Sequence, residues 1–345
     1  MTQRLSHTDL LAIPDARREA IDRLATELVQ GRRVALSTHI NADGDGCGSE
    51  AAMSLLLRQL GLDPVIVNPT PWPSAFDFLL GDGVVDRSSK GSRALKQIDL
   101  LVVLDISDVA RLGVLAESVR GLEVPRLVID HHVPSHEPPG DFVLADTSAC
   151  ATGELVFDLA QTLGLEVTPA VAEALYVAIL TDTDSFRFAN TSPRCLAIAA
   201  SLLQAGVDPE RMYRLVYASA PVGRVRLLAE ALGTLEVDEA HGLAWLSLPA
   251  GALERFTVRS EDLDGVVEHA RSIAGTRMAL FFRDLGHGKV KVSFRSTGDV
   301  DVNAFARAFG GGGHARASGA LVEGGLAEVR DRVVTAAREF VGRKE

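Results

Sequence analysis

Three residues in the segment THINADGDGCGSE, Thr38 to Glu50, are of types that bind a divalent cation: the imidazole of His39 and the carboxylates of Asp43 and Asp45. Val34 to Thr38 reads as a short buried strand, and Gly48 to Leu60 as an apolar helix closed by Gly61. The three side chains are therefore expected on the connecting loop. Glycines 44, 46 and 48 let such a loop fold tightly and bring backbone N–H groups close to an anionic ligand. Taken alone, the segment would also fit a solvated Asp-Gly turn.

Three further segments end in residues of the same kind. Leu100 to Leu104 is an apolar strand followed by Asp105, and Leu127 to Ile129 runs directly into Asp130-His131-His132. Val171 to Leu180 is apolar throughout and ends in Thr181-Asp182-Thr183-Asp184. In an open parallel sheet, ligands bind outside the carboxyl ends of the strands, where such loops converge. The spacing thus predicts one acidic, histidine-bearing site assembled from distant parts of the chain.

The elements that must hold this site alternate. An amphipathic helix over Ala16 to Gln30 precedes the strand at Val34, the helix from Gly48, the strand Pro64 to Asn68, and the strands ending at Asp105 and Asp130. That order predicts an α/β fold with a parallel sheet and helices on both faces. From Thr152 to Tyr217 the pattern turns helical, and Ala218 to Gly223, ASAPVG, reads as the start of a linker. Strands at Gly242 to Leu248, Met278 to Arg283 and Val290 to Phe294, with helices at Val302 to Phe309 and Leu326 to Val341, predict a smaller C-terminal α/β domain. The expected divisions are 1–217, a linker over 218–234, and 235–345.

These motifs together resemble the DHH phosphoesterases, whose name-giving Asp-His-His stands here as Asp130-His131-His132. The family's first motif matches His39, Asp43, Asp45, Gly48 and Ser49; Asp105 and Asp182 match two others. The run FGGGGHARASG, Phe309 to Gly319, is similar to the glycine-rich signature of a C-terminal domain in one branch of the superfamily. Length and layout are most similar to the nanoRNase and pAp-phosphatase group within it. Ala42 stands where Pro is frequent, and Asp184 where many relatives carry Gly.

The resemblance implies two divalent metal ions, Mn²⁺ first, with an active site in the cleft between the domains. His39, Asp43 and Asp105 would hold one ion, and Asp45, Asp105, His131 and Asp182 the other, with Asp105 bridging. His132 would face the phosphate or leaving group, and Asp130 would orient a neighbouring histidine. Such a pair of ions activates water for in-line displacement at phosphorus. In the C-terminal domain, Arg295, Gly311, Gly312, Gly313, His314 and Arg316 would bind a phosphate that is not being hydrolysed. The implied activity is removal of 5′ nucleotides from very short RNA and conversion of pAp to AMP. Linear and cyclic dinucleotide hydrolysis is the neighbouring alternative, and a RecJ-like single-strand exonuclease the second.

Composition narrows these expectations. The net charge of −11 argues against a protein that grips long nucleic acid through a basic face, and so against the RecJ-like alternative. Between Arg277 and Arg316 the balance reverses, with seven cations against three carboxylates, which suits a small phosphorylated ligand. Cys47, Cys150 and Cys195 are isolated and odd in number, as expected of a reducing cytoplasm rather than a disulfide framework. No long apolar run predicts a membrane span. Resemblance alone suggests a homodimer. All expected metal ligands are present, which weighs against a merely nucleotide-sensing role.

Overall fold

A computed structural model describes residues 6–263 and 265–342, in two compact units, Met1–Ser219 and Ala220–Glu345. In the first, α1 (His7–Leu10) and α2 (Asp15–Ala25) precede β1 (Arg33–Ser37), α3 (Gly44–Gln59) and β2 (Asp63–Ile66). There follow β3 (Leu100–Leu104), α4 (Ala116–Arg120), β4 (Arg126–Asp130) and β5 (Phe142–Ala145). Four helices complete it: α5 (Thr152–Thr162), α6 (Pro169–Asp182), α7 (Pro193–Gln204) and α8 (Pro209–Tyr217).

The five strands form a wholly parallel sheet in the order β2-β1-β3-β4-β5. Its strands are apolar almost throughout because both faces are covered. Val34, Leu36, Leu100, Val102, Leu104, Leu127 and Ile129 turn toward α2, α3, α5 and α6, while Ala35, Leu101 and Val103 pack under α4 and short 3₁₀ turns. The β1-β3-β4 trio sits at the middle of the sheet, so its carboxyl ends lie side by side.

Two helix boundaries differ from the sequence expectation by a full turn or more. Helix α3 begins at Gly44 rather than Gly48, because the Asp43 carboxylate caps it, accepting hydrogen bonds from Asp45 N and Gly46 N at 3.1 Å each. Asp45 is therefore in the first helical turn, not on the loop. Helix α2 stops at Ala25, short of the expected Gln30.

Within α3, Gly48 is required for a packing reason. A Cβ on Gly48 would lie 2.5 Å from the Ala174 carbonyl oxygen of α6. The two helices thus meet backbone to backbone. Gly48→Ala should cost about 1–3 kcal/mol, as overpacking of a tight contact does; an unchanged melting temperature would contradict this close approach.

The second unit contains α9 (Val222–Leu232), β6 (Glu236–Asp238), β7 (Leu243–Leu248), α10 (Ala252–Phe256) and α11 (Val266–Arg271). It continues with β8 (Met278–Asp284), β9 (Lys289–Ser296), α12 (Val302–Arg307), β10 (Gly312–His314), β11 (Ala317–Glu323) and α13 (Leu326–Gly342). Most of the segment expected as a linker over 218–234 is helix α9. Its Leu227 and Ala231 are buried with Leu246 and Phe281, so hydrophobic burial draws it into this unit.

The sheet here is mixed, in the order β10-β11-β9-β8-β7-β6, with only the β7–β8 pair parallel. Along β9, Val290, Val292 and Phe294 enter a core with residues of α12 and α13, while Lys291, Ser293 and Arg295 alternate onto the other face. The glycine run forms part of the β10–β11 hairpin. A Cβ on Gly311 would lie 2.2 Å from the Gly319 carbonyl oxygen, so glycine is required there by the hairpin itself.

Candidate metal centre

The carboxyl ends of β1, β3 and β4 deliver His39, Asp105 and Asp130-His131-His132 to one edge of the parallel sheet. Helix α3 brings Asp43 and Asp45 from its N-terminus, and α6 brings Asp182 from its C-terminus. Asp182 thus ends a helix, as the helical pattern after Thr152 leads one to expect; its apolar run is continuous because this part of α6 is buried nearly all round.

His39 Nε2 stands 3.3 Å from Asp105 Oδ2 and 3.6 Å from Asp43 Oδ2. His131 Nε2 stands 3.6 Å from Asp105 Oδ1, 3.7 Å from Asp45 Oδ2 and 3.8 Å from Asp182 Oδ2. These distances place the donor atoms in two groups, His39-Asp43-Asp105 and Asp45-His131-Asp182, each compact enough to surround one cation; a third, Asp105-His131-His132, overlaps them through Asp105 and His131. Asp105 reaches both imidazoles through different oxygens. Its backbone adopts φ 62°, a left-handed conformation uncommon outside glycine, asparagine and aspartate, and this turns the carboxylate across the two groups.

Each imidazole is fixed in the tautomer a metal needs. His39 Nδ1 lies 3.0 Å from the Ile40 carbonyl oxygen and His131 Nδ1 3.3 Å from that of Ala149. A carbonyl only accepts, so Nδ1 keeps a proton and Nε2 is the nitrogen left to take a metal. Both Nε2 atoms are buried and without a hydrogen-bond partner. Buried polar nitrogens are seldom left so, and a cation at each would satisfy them.

The electrostatics agree. Burial, with Asp105, Asp182 and Asp43 close by, raises the Asp45 carboxyl well above the usual range. Burial first, then Asp105 and Asp43, pushes Asp182 up to about 6 against the pull of His131. Burial opposes charge on His39, yet Asp105 and Asp43 carry its imidazole up to about 10. The bare cluster relieves crowded negative charge by holding protons, a role divalent cations would fill better. The residues therefore fit a two-cation site.

His132 is differently placed. Its Nδ1 donates to Asp130 Oδ1 at 2.7 Å, and the ring is partly exposed, edge-on to His131. Asp184, the extra carboxylate, pairs with Arg187 and belongs to none of the metal-capable groups among the described residues. In the second unit, Arg295 on β9 is paired with Glu268 at 2.9 Å and also donates to the Phe294 carbonyl. Gly312 and Arg316 are exposed, and Gly311 to His314 lie at or in β10 beside β11, whose Ala317 pairs with Arg295; the His314 side chain lies outside the described residues.

Apart from Ser49, which stands in the first motif, sequence reasoning missed the residues that hold the ligands. Asp45 accepts from Thr152 N at 2.7 Å, Gly153 N at 3.0 Å and Ser49 Oγ at 3.0 Å; Asp105 accepts from Thr152 Oγ1 at 3.1 Å. Asn190 donates to Asp182 Oδ2, and Asn68 links Thr38 to the buried Glu50. Only Thr152-Gly153-Glu154, opening an apolar helix, carried a visible signal, that of a helix N-terminus.

Residues 33–179 match the DHH family, N-terminal domain, and residues 248–343 match the DHHA1 domain. The bifunctional oligoribonuclease and PAP phosphatase NrnA of Thermus thermophilus is 34% identical over 93% of this chain and 94% of its own length. An exopolyphosphatase-related protein from Bacteroides fragilis superposes with a TM-score of 0.86 at 24% identity, over 94% of this chain and 97% of that one. RecJ from Thermus thermophilus, solved in complex with Mn²⁺, superposes with a TM-score of 0.55 at 17% identity, over 97% of this chain and 56% of that one. Those two structures speak for the fold. With both domains present in order and the NrnA similarity running nearly end to end, the chain belongs to the DHH family, in the branch that carries a DHHA1 domain and includes NrnA.

Proposed function

We propose that this chain is a metal-dependent phosphoesterase that removes 5′ nucleotides from very short oligoribonucleotides and dephosphorylates pAp to AMP. The observation that carries the reading is the pair of buried Nε2 atoms, on His39 and His131, each unpartnered and each within 4 Å of two or more carboxylates. The relative's name supplies the substrate class.

On this reading His39, Asp43 and Asp105 would hold one cation and Asp45, Asp105, His131 and Asp182 the other, Mn²⁺ being the metal expected. When bound, two such ions lower the pKa of water and neutralise charge on the attacking and leaving oxygens. The chain's own residues do the rest. Asp105 sets the spacing of the two ligand groups. His132, whose proton affinity Asp130 raises against the effect of burial, is suited to give a proton from Nε2 to the leaving oxygen.

Residues 1–217 form the catalytic domain, and 235–345, together with helix α9 packed on them, the substrate-binding domain, where Arg295, Gly311, Gly312, Gly313, His314 and Arg316 take a second phosphate. Since Arg295 already pairs with Glu268, an incoming phosphate competes with that carboxylate, which favours ligands of high charge density. The reading places the protein in the cytoplasm, as a homodimer.

The test is a series of initial rates with Mn²⁺ on 5′-labelled RNA of two, three, five and twenty-four nucleotides, with pAp and cyclic di-AMP in parallel. Rates falling steeply with length, together with phosphate release from pAp, are expected. Rates that rise with length would assign the chain to long-strand degradation, and cyclic di-AMP turnover without pAp turnover to dinucleotide signalling chemistry.

A further inference from the structure

Helix α5 has an N-terminus that does not cap itself. Its N-cap is Ala151, which has no side-chain acceptor, and the first two N–H groups, of Thr152 and Gly153, go instead to the carboxylate of Asp45. The Thr152 hydroxyl donates to Asp105. One helix start therefore holds two of the acidic residues in the metal cluster, and its axial position sets theirs.

That position is fixed by a buried ionic network. Glu154, at the third position of α5, accepts from Cys150 N at 3.1 Å with one oxygen. Its other oxygen accepts from Arg17 at 2.7 Å and Arg194 at 3.1 Å. Asp158, one turn further along α5, pairs with the same two arginines. Arg17, on α2, is only 4% exposed and reaches Asp146 at 2.6 Å as well. Arg194, on α7, also donates to the carbonyls of Leu10 and Ala12. Glu154 and Asp158 are themselves buried to within 1%. Two helices distant in sequence, α2 and α7, thus clamp α5 by charge at its first two turns.

Stability alone does not explain the arrangement. Buried ion networks are poor stabilisers compared with apolar packing of equal volume, because desolvation offsets their attraction. Helix α2 already has Ile21 and Leu24 in the core for anchorage. What the network adds is direction: it allows one axial setting of α5, the one that aims Thr152 and Gly153 at Asp45.

We infer that Arg17, Arg194, Glu154 and Asp158 are positioning residues of the metal centre, acting through the N-terminus of α5 on Asp45 and Asp105. None of them touches the cluster. The inference rests on the metal reading above and extends it to the N-terminal helix, which lies outside the matched DHH segment.

The test is direct Mn²⁺ binding to metal-free full-length protein, counting free ion by electron paramagnetic resonance, with melting temperatures measured on the same samples. Arg17→Met and Glu154→Gln should weaken Mn²⁺ binding roughly tenfold or more, as loss of a group that orients a ligand does. Arg17→Lys, which keeps one charged donor, should lose less. KM for pAp should stay near the wild-type value once Mn²⁺ is saturating. Folded variants whose Mn²⁺ affinity stays within about twofold of wild type, whatever their melting temperature, would overturn the inference and leave the metal reading intact. Wild-type protein that takes up no Mn²⁺ would remove both. Should the charge variants fail to fold, Thr152→Val cuts only the hydroxyl link from α5 to Asp105 and keeps the two N–H donors to Asp45; it must weaken Mn²⁺ binding by itself, and unchanged binding would likewise overturn the inference.

Discussion

Asp105→Asn should abolish turnover, with kcat/KM falling on the order of a thousandfold or more, the scale seen when a central electrostatic group is removed from a reaction centre. The change keeps size and one acceptor oxygen while deleting the charge that both ligand groups share. Asp105 Oδ2 faces His39 and Oδ1 faces His131, so a single substitution disturbs both. Metal content should fall as well. Because residue 105 sits at φ 62°, which Asn tolerates as readily as Asp, the fold should persist and the loss is assignable to chemistry. Near-normal rates at saturating Mn²⁺ would deny Asp105 its shared position.

The second large effect is on stability. Without metal, the folded cluster binds protons more tightly than the unfolded chain: Asp182 is raised to about 6, His39 to about 10, and Asp45 well above its usual range. Groups raised in the folded state contribute stability at low pH that is lost as pH climbs through the folded value. Metal-free protein should therefore melt at a lower temperature at pH 8 than at pH 5. Mn²⁺ reverses the trend, since it needs the deprotonated ligands. At a hundredfold excess over Kd each ion stabilises the fold by about 2.7 kcal/mol at pH 8, and far less at pH 5. Thermal melts with and without a chelator at both pH values check this. Equal melting temperatures across all four conditions would contradict the protonated cluster.

What the sequence made legible was the end of each strand. Apolar runs stopping at Asp105 and Asp130 could be read as parallel strands because burial on both faces leaves no alternation, and ligand residues had to follow them. The start of α3 was not legible, since Gly44, Gly46 and Gly48 are poor helix formers and only the cap from Asp43 and the approach of α6 reveal why they are helical. Helix α9 reads as a linker in the sequence because ASAPVG dominates its start, whereas its membership in the second unit depends on burial of Leu227 against residues far along the chain. The ionic clamp on α5 was invisible for the same reason. Arg17 and Asp158 are ordinary charged residues on helical surfaces until the fold brings them 2.8 Å apart.

One measurement bears most directly on the central claim: Mn²⁺ titrated into metal-free protein, with bound ion and phosphate release from pAp followed in the same samples. The account predicts two ions per chain, negligible hydrolysis before the second binds, and complete loss of both signals on chelation. Full-rate hydrolysis in the presence of chelator, with no bound ion, would contradict it.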